Sequence, residues 1–262
     1  YLVAVVVGPL EITVVPSAST TPIRVVHIPG KGGLTQFSGR CAAAALEFFE
    51  DYYGIAHPGA KLDLVALPDF AMGAMENLGC VTFRENLLLV DPAVATTDEL
   101  RTCADVISHE IAHMWFGDLV TMRWWNGIWL NEAFATFMEV LAVDHWQPDW
   151  RRWLQFCTER GMAFDVDALG ASRPVEVTVR SPEDASAMFD VLTYQKGGAL
   201  LRMLEQYLGA DRFRDGVREY LQRHSYDNTE TGDLWDAIES TTGEPVRRVM
   251  DSWIFQPGHP LV

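Results

Sequence analysis

His109-Glu110-Ile111-Ala112-His113, followed after 18 further residues by Glu132 in Asn131-Glu132-Ala133, is the stretch whose reading decides this 262-residue chain. On a helix, positions i and i+4 share one face. His109 and His113 can therefore present two imidazoles to a single metal ion. Glu110 lies one position round the helix, close enough to reach a water on that ion. Glu132, from a second segment, completes three protein ligands and leaves a fourth position open. That is the pattern of a catalytic zinc site, because a structural site is closed by a fourth protein ligand.

The flanks support a buried helix. Thr96-x-x-Glu99 reads as a capping box, with Thr96 accepting an orphan amide and Glu99 reaching back. Leu100, Cys103, Val106, Ile107, Ile111 and Met114 then form an apolar stripe at helical spacing. Gly117 reads as the residue just beyond the helix end. Two histidines and a glutamate buried on such a helix are costly unless something satisfies them. A metal ion does so.

Three motifs carry a resemblance. The longer stretch HEIAHMWFGDLVTMRWWNGIWLNEAFA, residues 109–135, resembles the gluzincin metallopeptidases, and among them the zinc aminopeptidases of the aminopeptidase N type. Gly73-Ala74-Met75-Glu76-Asn77 is similar to that family's exopeptidase motif. Phe189-Asp190-x-x-x-Tyr194-x-Lys196-Gly197 resembles the segment that carries its catalytic tyrosine. The motifs occur in the family's order. The resemblance covers residues 34–262 well and the first thirty or so weakly.

Each residue has a chemistry to offer. Zinc takes neutral imidazoles and a carboxylate, and makes hydroxide accessible near neutral pH. Glu110 would accept a proton from the attacking water and pass it to the leaving amine. Glu139, two helical turns beyond Glu132, could fix the tautomer of a ligand histidine. It reads equally as an exposed carboxylate, and the resemblance favours the first role. On the residues alone, Glu76 is an ordinary acidic residue of an edge strand or loop. The resemblance makes it the group that binds the substrate's α-ammonium, with Gly73 and Ala74 offering backbone groups and Met75 and Asn77 completing the segment. Tyr194 alone reads as a packing tyrosine. The resemblance makes its phenol a donor to the oxyanion of the tetrahedral intermediate.

Composition narrows the partners. With 36 acidic and 20 basic residues the formal net charge is −16, which would repel a nucleic-acid backbone. Four cysteines, at 41, 80, 103 and 157, form no C-x-x-C pair and are too few for a disulfide scaffold. Reduced thiols and a cytoplasmic setting are the expectation. No apolar run reaches the length of a membrane span. The apolar start, Tyr1–Val7, lacks a basic region and a cleavage site, so it reads as a strand and not a signal peptide. The missing initiator Met and the resemblance together suggest a piece of a larger enzyme.

Residues 1–30 are rich in β-branched side chains and read as strands at Tyr1–Val7, Glu11–Val15 and Ile23–Ile28. The Pro29–Gly33 stretch reads as a linker. The resemblance makes 1–33 the last strands of an N-terminal β domain, and 34–262 a thermolysin-like catalytic domain. Within the latter, residues 34–57 read as a helix, and Leu62–Leu67, Cys80–Phe83 and Leu87–Val90 as strands. The zinc helix and a helix through Glu132 to about His145 follow. Residues 161–187 read as irregular, and helices recur at 192–207, 211–223, 233–240 and 245–254. The order, a mixed sheet and then helices, gives the α+β class.

The function these readings imply is removal of N-terminal residues from peptides with a free amine, by one Zn2+ ion. Partner domains on both sides of the chain are implied as well. The rivals are a thermolysin-like endopeptidase, an epoxide hydrolase of the leukotriene-hydrolase kind, and a zinc-less interaction scaffold of the same fold. Glu76 argues against the endopeptidase, since it stands where a longer chain would pass. The scaffold would be expected to lack ligand or base residues, and His109, Glu110, His113 and Glu132 are all present.

Overall fold

A run of six residues, Leu62–Leu67, is the middle strand of the sheet and explains how it is built. Five of the six are buried, so the strand reads as a nearly continuous apolar run, as expected of a parallel strand covered on both faces. In the computed structural model, which describes residues 3–260, the strands β1 (Glu11–Val15), β2 (Ile23–His27), β3 (Leu62–Leu67), β4 (Ala74–Met75) and β5 (Cys80–Arg84) form one five-stranded sheet. Its order is β1-β2-β3-β5-β4. β2, β3 and β5 run parallel, and β1 and β4 are antiparallel edges. The sheet and the helices make the chain a mixed α+β protein.

By packing, the residues fall into two units: 1–114 with 138–150, and 115–137 with 151–262. The first holds the five-stranded sheet, α1 (Gln36–Tyr53) and α2 (Thr97–Ala112). Helix α1 ends at Gly54, whose φ of 66° is the left-handed cap that glycine accepts at no steric cost. Phe49, Leu46, Ile107 and Leu64 are fully buried in this unit. The second unit is mostly helical. It contains the first part of α3 (Trp129–Trp146), then α4 (Arg152–Asp167), α5 (Pro182–Ala187), α6 (Gly197–Leu208), α7 (Ala210–Arg223), α8 (Thr231–Thr242) and α9 (Val246–Ile254). A small parallel pair, β6 (Val120–Met122) with β7 (Asp227–Thr229), completes it. Aromatic packing fills its core: Phe116 stacks on Phe134 with centroids 4.0 Å apart, and Trp129 meets Trp235 at 5.7 Å.

Several expectations are corrected. Of the expected first strand, Tyr1 and Leu2 lie outside the described residues. Val3–Val7 forms no strand, and Val3, Val5 and Val7 are exposed. Leu87–Val90 is not a strand. Glu85–Leu87 makes a single 3-10 turn, and so short an apolar run has no periodicity that separates strand from buried turn.

Gly117 is not the residue that ends α2. The helix stops at Ala112, and Gly117, at φ 135°, belongs to the turn that opens β6 and donates to the Val120 carbonyl at 2.9 Å. Residues 161–187 are only partly irregular. α4 runs on to Asp167 through Gly161, and Pro182 opens α5 at a helix position where its missing N–H costs nothing. Ser181 and Asp184 form the capping box there.

Candidate active site

Helix α2 delivers the histidines. The expected box is present at its start: Thr96 Oγ1 accepts from the Glu99 amide at 3.2 Å, and Glu99 Oε2 accepts from the Thr96 amide at 2.7 Å. The exposed first turn gives way to a buried last turn, in which Ile107, Ser108, Glu110, Ile111 and Ala112 are buried and His113 is 1% exposed. His109 and His113 sit one turn apart, and their Nε2 atoms lie 3.1 Å from each other.

Helix α3 delivers the carboxylates. From Gly127 to Met138 every residue is buried, including Glu132 at 5%. A helix apolar on all sides lies inside its protein, which explains why no stripe marks it. Its start is anchored by Glu176, a residue the sequence reading passed over because it lies in an irregular stretch. Glu176 accepts from Trp129 Nε1 at 3.0 Å and from Asn126 Nδ2 at 2.7 Å, and Thr231 Oγ1 also donates to it.

The donor atoms of His109, His113 and Glu132 all lie within 4.8 Å of one another. Glu139 Oε2 accepts from His109 Nδ1 at 2.7 Å. That bond puts the ring proton on Nδ1 of the neutral imidazole and leaves Nε2 with its lone pair, turned toward His113. Two imidazole nitrogens at 3.1 Å, beside a buried carboxylate, are a donor set that suits a divalent cation taking nitrogen and oxygen ligands. The residues fit the metal that the pattern implies. Substituting Glu139→Gln is expected to weaken metal retention about ten- to a hundredfold while leaving the fold intact, read by competition with a chelator.

The Gly73–Asn77 segment forms the far edge of the sheet. Ala74 pairs with Phe83 and Met75 with Thr82, and the Arg84 amide donates to the Gly73 carbonyl at 2.8 Å. β4 packs beside α2, the histidine helix. Glu76 is 7% exposed and Asn77 is buried with it. Asn77 Nδ2 reaches the Met75 carbonyl and Thr82 Oγ1, both at 3.4 Å. Gly79, at φ 67°, closes the turn. A Cβ there would come within 2.8 Å of the Lys61 carbonyl, so only glycine fits.

Tyr194 is not in an ordinary helix. Leu192–Lys196 is a π-helical turn that runs into α6, a detail that the position of the Gly-Gly pair does not reveal. Gly197 ends that turn against α3: a Cβ on it would lie 2.6 Å from the Ala133 Cβ, next to Glu132. Gly198 likewise meets Thr136. The glycine pair therefore lets the segment carrying Tyr194 approach the helix carrying Glu132.

Burial pushes the Cys103 thiol up to about 12 and holds Cys41 well above the ordinary value, so neither is a nucleophile near neutral pH.

Comparison with known proteins gives the family. The description "Peptidase family M1 domain" matches residues 37–253. This chain belongs to peptidase family M1. Among curated M1 relatives, Aminopeptidase M1-A of Oryza sativa subsp. japonica is 43% identical over 262 residues, covering all of this chain and 30% of that protein. Aminopeptidase 2 of Candida albicans is 44% identical over 263 residues, again across the whole chain and 28% of its own length. The alanine/arginine aminopeptidase of Saccharomyces cerevisiae is 43% identical, with 31% of its length covered. The chain thus spans about a third or less of the M1 relatives it matches. The family places the His109–His113–Glu132 cluster in a peptidase domain.

Proposed function

We propose that this chain is the catalytic part of a zinc aminopeptidase, thermolysin-like in fold, that hydrolyses the N-terminal peptide bond of peptides. The observation that carries the reading is the convergence of His109, His113 and Glu132, with Glu139 bonded behind His109. A bound zinc ion would polarise the scissile carbonyl and the attacking water. Glu110 accepts the proton of that water and hands it to the departing amine. Tyr194 donates to the oxyanion of the tetrahedral intermediate.

Glu76 sets the exopeptidase character. A buried carboxylate at the end of β4 meets a free α-ammonium by charge-assisted hydrogen bonds. The outer edge of β4 offers the backbone groups of Ala74 to an extended peptide, in the manner of strand addition, while the Gly73 carbonyl is held by the Arg84 amide. Met75 and Asn77 complete the segment. Glu76→Ala in the full-length enzyme is expected to weaken binding of free-amine substrates by about 1.5–3 kcal/mol, the usual worth of a hydrogen bond to a charged group. Inhibition constants for amine-bearing inhibitors measure it.

The parent enzyme is tested with paired peptides. Cleavage confined to peptides with a free N-terminus supports the reading. Efficient internal cleavage of N-acetylated peptides would establish the endopeptidase instead. Metal analysis separates both from a zinc-less scaffold. The relatives' names denote aminopeptidases, which supports the activity, and their greater length supports further domains in the parent. In this reading residues 1–33 close a preceding β domain and 34–262 form the catalytic domain. Among the described residues no helix is long and apolar enough to cross a membrane. The four unpaired cysteines favour a reducing, cytoplasmic setting.

A further inference from the structure

The tyrosine motif contains two charged residues, Asp190 and Lys196, whose contacts suggest a use beyond stability. Tyr194 stands in the π-helical turn Leu192–Lys196, where the Lys196 amide reaches back five residues to the Val191 carbonyl at 3.0 Å. Such turns are rare, because a widened helix packs poorly, and they occur mostly at functional sites. Something must hold this one open.

Both ends are clamped. Ahead of the turn, Asp190 Oδ1 accepts from the amides of Leu192 at 2.9 Å and Thr193 at 3.2 Å. Arg173 Nη2 donates to the same Asp190 oxygen at 2.5 Å and to Thr193 Oγ1 at 2.9 Å. At the other end, Lys196 Nζ meets Asp167 Oδ2 at 2.8 Å, with the two side chains 8% and 1% exposed. The ammonium also reaches the Gly258 carbonyl at 3.2 Å. Asp167 Oδ1 accepts from Ser172 Oγ at 2.6 Å and from the Gly258 amide at 2.8 Å. Burial pushes the Asp167 carboxyl upward, but its bonds to Lys196, Ser172 and Gly258 prevail and hold it below the usual carboxylate range.

A buried ion pair is a poor source of stability, since an apolar pair of the same volume often does as well. What it supplies is fixed geometry. The pair pins the last residue of the turn, two positions after Tyr194, where Gly197 abuts Ala133 beside Glu132. We propose that the Lys196–Asp167 pair is a positioning device for the Tyr194 phenol, holding the π-helical turn so that the hydroxyl meets the developing oxyanion. This rests on the reading of Tyr194 as an oxyanion donor. Lys196 and Asp167 touch no reacting atom. Their effect passes through the tyrosine, and a misplacement of about 1 Å can cost a hundredfold in rate.

A double-mutant cycle in the full-length enzyme tests this, with Lys196→Met and Tyr194→Phe made singly and together. Turnover is read per metal-loaded folded site. Lys196→Met is expected to lower kcat about ten- to a hundredfold with KM and metal content unchanged. In the Tyr194→Phe background the same substitution should change kcat by less than about twofold, because the group it positions is already gone. An equal loss in both backgrounds, no loss in either, or a loss carried by KM or metal content overturns the proposal. If Lys196→Met does not fold, Asp167→Asn, which keeps the side-chain shape, goes through the same cycle under the same criteria. If Tyr194→Phe alone keeps full turnover, the tyrosine reading fails and the proposal with it. If it loses turnover while the two effects multiply independently, only the positioning role falls.

Discussion

Glu110→Gln in the full-length enzyme is expected to lower turnover by about two or more powers of ten while the metal stays bound. The amide keeps the shape of the side chain and cannot take a proton. Glu110 sits in the buried last turn of α2, between the two histidines in sequence, and is 6% exposed. In the proposed mechanism it serves the metal's water, and it is not among the three donors that converge. Two measurements separate the roles. Metal analysis should give the parent's stoichiometry, and kcat/KM should fall with kcat. Equal activity would remove Glu110 from the chemistry. Loss of the metal would make it a structural residue.

His113→Ala is expected to have the largest effect on the metal itself. His113 is 1% exposed, and its Nε2 faces that of His109 at 3.1 Å. Alanine removes one of three protein donors and leaves a pocket that cannot replace it. A ligand that binds only the folded state stabilises it by about 2.7 kcal/mol at a hundredfold excess over its Kd. A chelator should therefore lower the Tm of the parent and leave that of His113→Ala unmoved. A variant that retains the metal and the chelator-sensitive Tm would show that His113 is not a ligand.

The parts legible in the sequence were those with a local signal. Thr96 and Glu99 announced the start of α2, and the spacing of His109 and His113 announced a shared face. Leu62–Leu67 was legible as a strand. The losses have physical causes too. Val3–Val7 has the composition of a strand, but a strand needs a neighbour, and composition does not say whether one is there. Pro182 reads as a breaker and is in fact a helix start. Glu176 carries no motif, because its partners Asn126, Trp129 and Thr231 are brought to it only by the fold. The π-helical turn at Tyr194 was hidden for the same reason. The residues that clamp its ends, Arg173 and Asp167, stand 21 and 27 residues before Tyr194 in the chain.

Helix α3 has a further consequence. On α2 the first turn is exposed and half-buried positions interleave with buried ones after it, so a library of substitutions should show graded tolerance. On α3 no position from Trp129 to Met138 faces solvent, and tolerance there should be uniformly low. Such a helix cannot drift by small neutral steps. A carboxylate moved one turn from position 132 would land among packed side chains with nothing to pair it. Diversity among descendants of this chain should therefore gather in loops and sheet edges, with α3 inherited as a block.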